Sequence, residues 1–255
     1  MQFKAPIYPI VWLLFAAWVA IIMIVGQLQS GGAETGIIEA LSSGPRYSVL
    51  VAMVFGLGCV AFWKIWKETG WTAIPKGASW WLLIVPVAFI GVFSAFGLSQ
   101  SEVAVSAVLI ILMNSMIVGV NEEVMLRGLV FSGMASRFSF LTACVITTVL
   151  FGAMHLLNYF NTGEFHILQA ITTMATGLMF LAIRVGMCSI IPAIILHGLW
   201  DFGTALTGTV TDYSGGTLVQ LVPLGILVAP ILFAIIGGIY LWRYSKRLAA
   251  KEAQA

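Results

Sequence analysis

Residues 103–135 read VAVSAVLIILMNSMIVGVNEEVMLRGLVFSGMA. This stretch is longer than the roughly 20 apolar residues that a helix needs to cross the hydrocarbon core of a bilayer. Near its middle lies a charged cluster, N-E-E-V-M-L-R at 121–127. The stretch therefore predicts a membrane-spanning helix that keeps ionisable side chains within the membrane.

The rest of the chain is similarly apolar. Of its 255 residues, 60% are hydrophobic and 9% are charged, and the mean hydropathy is +1.04. Soluble globular proteins are roughly 45–50% apolar and about 25% charged. The composition predicts an all-α, polytopic membrane protein whose residues 1–255 form a single membrane domain in the lipid bilayer. The net charge of +2 is too small to indicate nucleic-acid binding.

Eight segments are long and apolar enough to span a membrane, so we expect an eight-transmembrane-helix bundle. The first segment has an apolar run longer than the usual core of a signal peptide, and no A-x-A site ends it, so we expect it to be retained. The segments are 7–27, 47–66, 79–98, 103–135, 139–158, 167–184, 187–206 and 218–242.

The basic residues predict the orientation, because Lys and Arg accumulate in short cytoplasmic segments. With eight spans and a cytoplasmic N-terminus, the other side holds only Arg46, and Arg127 lies within a span. Both termini are therefore predicted to be cytoplasmic, in the plasma (inner) membrane of a prokaryote. The cytoplasmic side would hold Lys4, Lys64, Lys67, Lys76, Arg137, Arg184, Arg243, Lys246, Arg247 and Lys251.

The charges of the fourth segment are costly, since a charged residue at a helix centre costs about 2.5–3.5 kcal/mol on insertion scales. Glu123 and Arg127 are four residues apart and can form an ion pair on one helical face. Glu122 points about 100° away. Two interpretations remain open: the charges only lock helices together, or the carboxylate without a full countercharge is a general base.

Two further segments carry polar pairs at i,i+4. The fifth contains Phe151 and His155, and the seventh contains His197 and Asp201, each pair on one helical face. A lone histidine in a span is often a packing residue. Two histidines and an aspartate on separate spans favour a functional site.

Depth supports convergence of these residues. At about 1.5 Å per residue, Glu122, His155 and His197 lie roughly 20, 24 and 15 Å from the cytoplasmic ends of their spans. All three reach the middle of the bilayer. Small neighbours would let the helix backbones approach closely at this level, and they are Gly119, Gly152 and Gly198.

The segments N-E-E-V-M-L-R at 121–127, F-G-A-M-H at 151–155 and H-G-L-W-D at 197–201 resemble the EExxxR, FxxxH and HxxxN or HxxxD motifs of one family. This is the CPBP (Abi) family of CAAX-processing and bacteriocin-processing intramembrane proteases, which includes the type II CAAX prenyl endopeptidases. The resembling region is about 103–206. Each motif alone is weak, but three in this order on separate hydrophobic segments are fairly specific.

The resemblance implies a central intramembrane cavity, open to membrane and cytoplasm, where a membrane-anchored protein or peptide is cleaved. It implies that Glu122 activates water with the help of His155, and that His197 and Asp201 stabilise the oxyanion. Glu123 and Arg127 would form a structural ion pair. Phe151 and Asn121 would shape the pocket.

Asp201 departs from the asparagine of the prenyl-processing branch, and an ionised aspartate cannot donate a hydrogen bond to an oxyanion. Asp201 is then protonated, orients a protonated His197, or helps to hold a metal. We expect no cofactor. The alternative is Zn²⁺ held by His155, His197 and Glu122, although the chain contains no HExxH motif.

Two other functions remain open. A non-enzymatic immunity or regulatory membrane protein would keep its cellular effect after Glu122→Gln or His155→Ala. A proton-coupled transporter also uses acids and histidines at the midplane, and a pH-dependent uptake assay would identify it. The sequence indicates neither the substrate nor the oligomeric state.

Overall fold

The computed structural model describes residues 3–31, 37–100, 102–210 and 217–254. Every regular element in these ranges is helical, which confirms the all-α prediction. The α-helices are α1 Val11–Ser30, α2 Ile37–Ser42, α3 Tyr47–Trp63, α4 Trp66–Thr69, α5 Ile84–Gln100, α6 Val105–Glu123, α7 Phe131–Arg137, α8 Phe140–His155, α9 Tyr159–Thr162, α10 Ile167–Gly186, α11 Ile191–Gly208 and α12 Thr217–Glu252.

Six helical stretches of the described chain are long and apolar enough to cross a membrane, so the chain is a multi-pass membrane protein. Both other predicted spans are helical, but α3 has 17 residues and α11 is not among the six. The count of eight spans stays a prediction. The six stretches are Val11–Ser30, Trp80–Gln100, Val105–Arg137, Phe140–Asn158, Ile167–Gly186 and Gln220–Glu252.

Helices α10 and α11 form the centre of the bundle. Helix α11 packs against α5 and α6, while α10 packs against α8 and α12. Most side chains in the second half of α10 and along α11 are buried. Helices α1, α5 and α12 expose many large apolar side chains, as expected of surfaces that face lipid.

Close backbone contacts hold the central helices together. A Cβ atom on Gly119 would lie 2.8 Å from both Gly198 N and Ile194 O of α11. A Cβ atom on Gly152 would lie 2.6 Å from Ala170 O of α10. Glycine therefore lets α6 approach α11, and α8 approach α10, at the level of the polar motifs, as the small neighbours predicted.

The predicted fourth span contains a change of helix type. Helix α6 continues through a π-helix at Val124–Val130 into α7, so one helical stretch covers Val105–Arg137. All seven residues of the π-helix are buried. Such wide turns are rare and frequently occur at functional sites, and this one begins directly after the N-E-E sequence.

Candidate active site

Helix α6 ends in three buried polar residues, Asn121, Glu122 and Glu123. Successive residues of a helix point about 100° apart, so the two carboxylates have different neighbours. Glu123 has no exposed surface and contacts α11, whereas Glu122 lines a cavity. The two adjacent acids are therefore placed for different tasks.

Glu123 lies at the centre of a buried ion network. Its Oε1 accepts hydrogen bonds from Arg127 Nη1 at 2.9 Å and from His197 Nδ1 at 2.8 Å. Arg127 Nη2 also donates to the carbonyl of Gly177 at 3.2 Å. The structure thus forms the Glu123–Arg127 pair and adds His197, a partner that spacing along the chain could not indicate.

Two phenylalanines enclose this network. The Arg127 guanidinium carbon lies 4.0 Å from the centre of the Phe151 ring. The His197 ring stacks on Phe180, with 4.9 Å between centroids and 16° between planes. Such contacts favour a cation or an imidazole over an aromatic face. They keep water from the network and fix the plane of the His197 ring.

Glu122 directs its carboxylate toward the remaining nitrogen of the same histidine. Its Oε2 lies 3.7 Å from His197 Nε2 and makes no hydrogen bond within the described chain. Asp201 Oδ2 lies 3.5 Å from that nitrogen. Because Glu123 already holds Nδ1 of His197, the Nε2 atom is the one presented to both carboxylates.

His155, at the end of α8, has a defined tautomer. Its Nδ1 lies 2.8 Å from the carbonyl oxygen of Phe151. A carbonyl can only accept, so Nδ1 carries the proton of the neutral ring, and Nε2 is left as a base or acceptor. The same backbone that places Phe151 beside Arg127 therefore orients the second histidine.

One cavity of about 510 Å³ brings these groups together. Glu123 and Arg127 lie behind its wall. The residues predicted from α6, α8 and α11 that line it are Asn121, Glu122, Phe151, His155, His197 and Asp201. The Glu122 carboxylate and two imidazoles thus share one cavity, and together they are a donor and acceptor set suited to moving protons to and from water.

Residues 104–203 match the family model described as type II CAAX prenyl endopeptidase Rce1-like. All three motifs lie inside the matched segment. The match supports a CPBP, CAAX-protease-like family for this chain. It confirms the resemblance stated from the motifs. Comparison with curated proteins and with solved structures gave no match.

The CPBP resemblance also raised zinc as an alternative. In the described part of the chain, no group of three or more His, Cys, Asp or Glu side chains is arranged to hold a metal ion. His197 Nδ1 is bonded to Glu123, and His155 Nδ1 to a backbone carbonyl. Such Nδ1 contacts are also usual for histidines that bind a metal through Nε2. They therefore do not argue against zinc, which stays an alternative.

Sequence reasoning missed two residues at this CPBP-like site. Phe180 of α10 stacks on His197, and Trp18 of α1 donates from Nε1 to Asn121 Oδ1 at 2.7 Å. Phe180 gives no signal, because phenylalanine is common in membrane spans. Trp18 offers a weak one, since its indole N–H needs an acceptor when buried.

Proposed function

We propose that the chain is an intramembrane endopeptidase that hydrolyses a peptide bond of a membrane-anchored protein or peptide. The observation that carries the proposal is the Glu122 carboxylate, which faces a cavity shared with two imidazoles and whose Oε2 has no hydrogen-bond partner in the described chain. The Rce1-like match suggests a CAAX-protease-like enzyme. Lipid and protein around such a site lower the local dielectric constant, and electrostatic interactions within it are therefore stronger than in water.

In the proposed first step, Glu122 takes a proton from a water molecule as that water attacks the carbonyl carbon of the substrate. Nε2 of His155 accepts from the same water and orients it, because the Nδ1 proton is held by Phe151 O. The proton on Glu122 then passes to the nitrogen of the leaving amine. General acid–base catalysis of this kind contributes typically about 10²–10⁴-fold to the rate.

His197 and Asp201 serve the oxyanion in this proposal. With Nδ1 donating to Glu123 and Nε2 beside Asp201 at 3.5 Å, His197 is surrounded by carboxylates that stabilise its imidazolium form. The imidazolium donates its Nε2–H to the oxygen of the tetrahedral intermediate. The aspartate then orients this donor, so the replacement of the asparagine does not remove the oxyanion site.

Glu123 and Arg127 act as positioning residues. Glu123 holds the His197 ring by its Nδ1, and Arg127 neutralises Glu123 while it rests on Phe151. The pair therefore sets the direction of Nε2 without touching the substrate. We further propose eight spans with both termini in the cytoplasm of a prokaryote, because this arrangement places ten basic residues on one side.

The test is a comparison of peptide termini in cells that produce the wild-type chain, Glu122→Gln, or Glu102→Gln as a control. Glu102 is exposed and lies outside the cavity. New peptide termini should appear with the wild type and with Glu102→Gln. With Glu122→Gln the cleavage rate should be about 10²–10⁴-fold lower, so these termini should be lost. Equal cleavage by Glu122→Gln would overturn the role of Glu122, and a retained cellular effect without any new terminus would favour the non-enzymatic alternative.

A further inference from the structure

The cavity occupies one end of the helical bundle. Its walls come from the second halves of α1 and α11, the end of α6, the start of α3, the end of α8 and the first halves of α10 and α12, with Leu41 of α2. These segments meet at the same end, where Gln27 donates to Phe160 O at 2.9 Å and Gln29 donates to Pro45 O at 2.8 Å. The cavity thus runs from Glu122 toward the end at which α1 terminates.

The basic segments gather at the opposite end. There the backbone N–H of Ala5 donates to Ser132 O, Arg184 donates to Glu68 O, and Phe3 packs on Tyr244. These contacts join the N-terminus, the α4 region and the end of α12. Ten of the twelve basic residues lie on the segments of this end, which the positive-inside rule places in the cytoplasm. The cavity end is then the non-cytoplasmic one.

Arg46 is the basic residue at the cavity end, and it lines the cavity. Its side chain is partly buried, and its guanidinium makes no hydrogen bond or ion pair with any described residue. Its backbone is fixed, because its N–H donates to Asn114 Oδ1 at 3.0 Å and Asn114 Nδ2 donates to Leu41 O and Gly44 O, each at 2.8 Å. A positive charge is therefore held at the wall of the cavity without a counterion among the described residues.

The distance between Arg46 and the catalytic level can be estimated along α6. Asn114 and Glu122 are eight residues apart, which corresponds to about 12 Å of helix. An extended peptide spans about 12 Å with roughly three to four residues. An anionic group bound by Arg46 would thus lie about three to four residues from a peptide bond cleaved at Glu122.

The cavity has two different walls that fit an extended peptide chain. Helix α1 contributes an apolar wall with Trp18, Val19, Ile22 and Met23. A second part of the lining is polar and offers groups that can hydrogen-bond to a peptide backbone. It consists of Asn158, Thr162, Gln169, Thr172, Thr173 and Thr176.

We propose that substrate reaches Glu122 from the non-cytoplasmic end and that Arg46 binds a carboxylate of the substrate about three to four residues from the scissile bond. This inference rests on the proposed endopeptidase function. It reverses the cytoplasmic access that the family resemblance implies. A cytoplasmic, C-terminally processed segment would have to cross the bundle to reach this cavity, whereas a segment exposed outside would enter it directly.

Accessibility can be measured without any substrate. In a chain carrying Cys59→Ala, Cys144→Ala and Cys188→Ala, a single Thr173→Cys reports on the cavity and a single Lys76→Cys on the basic end. A membrane-impermeant thiol reagent added to intact spheroplasts should label Thr173→Cys, and should label Lys76→Cys only after permeabilisation. Labelling of Lys76→Cys alone, or no labelling of Thr173→Cys in intact spheroplasts, would overturn the proposed access.

The charge of the reagent tests Arg46. Two methanethiosulfonates are compared, one with an anionic sulfonate group and one with a cationic trimethylammonium group. The anionic reagent should modify Thr173→Cys faster than the cationic one. Arg46→Gln should lower the ratio of the anionic to the cationic rate by at least about threefold, because one unit charge is removed from a partly dehydrated cavity, and Arg46→Lys should retain it. An unchanged ratio in Arg46→Gln would refute anion binding by Arg46. Neither readout depends on cleavage. Failure of the endopeptidase proposal can therefore be distinguished from failure of the proposed access and anion binding.

Discussion

Two adjacent carboxylates lie on different faces of α6 and have opposite environments. On the packed face, Glu123 has no exposed surface and receives hydrogen bonds from Arg127 and His197. On the cavity face, Glu122 keeps Oε2 without a hydrogen bond in the described chain and 3.7 Å from His197 Nε2. Burying a charge without a partner is costly, so we expect the packed face to serve stability and the cavity face to serve the proposed chemistry.

One histidine connects the two faces of α6. His197 binds Glu123 through Nδ1 and faces Glu122 through Nε2. A change on the packed face should therefore disturb folding first and reactivity as a consequence. A change on the cavity face should disturb reactivity with little effect on folding.

The largest effect on stability is expected for Arg127→Met. This change leaves the Glu123 carboxylate buried with one partner fewer, and removing one member of a buried ion pair typically destabilises a protein by about 3–5 kcal/mol. Thermal unfolding of the detergent-solubilised protein, followed by loss of protease resistance, would measure it. Arg137→Met is the matched control, because Arg137 is exposed at the end of the same helical stretch. Equal stability of the two variants would contradict the assigned role of the packed face.

A smaller effect is expected for Gly119→Ala, which tests the distance between the two faces and α11. The added methyl group would lie 2.8 Å from Gly198 N and Ile194 O, so α6 and α11 must separate. Overpacking of this kind costs about 1–3 kcal/mol, and the altered spacing between Glu122 and His197 should also lower the cleavage rate.

Gly58→Ala is the control for that change. Nothing lies within 4 Å of a Cβ atom at Gly58 of α3, and alanine is favoured over glycine in a helix by roughly 0.5–1 kcal/mol. We therefore expect Gly58→Ala to retain or increase the unfolding temperature. If Gly119→Ala behaved in the same way, the close contact between α6 and α11 would not determine the geometry of the site.

The sequence was sufficient for those parts of the molecule that depend on local pattern. Apolar length located the helical segments, and i,i+4 spacing placed Glu123 beside Arg127 because both lie on one helix. The motifs also indicated three of the helices that line the cavity, α6, α8 and α11, but not α1, α3, α10 or α12. The family match over residues 104–203 then confirmed the resemblance.

Contacts between helices could not be obtained in this way. The bond from His197 to Glu123 joins residues 74 positions apart, and the stacking of Phe180 on His197 depends on how α10 and α11 pack. Helix periodicity specifies a face but not the partner of that face. Nor does a hydropathy pattern predict the π-helix at Val124–Val130, which follows from how the buried turns fit their neighbours.

The smallest effect is expected on the cavity side, for Trp18→Phe. Trp18 is buried and its Nε1–H donates to Asn121 Oδ1 at 2.7 Å, directly before Glu122 in the chain. Phenylalanine keeps most of the apolar surface but removes the donor, so we expect a loss of about 0.5–1.5 kcal/mol and a modest decrease in cleavage. Trp12→Phe is the control, because Trp12 is exposed on the same helix. A cleavage rate that falls in Trp18→Phe while the unfolding temperature changes little would show that α1 orients the cavity face. Equal behaviour of the two variants would show that α6 positions Glu122 without help from α1.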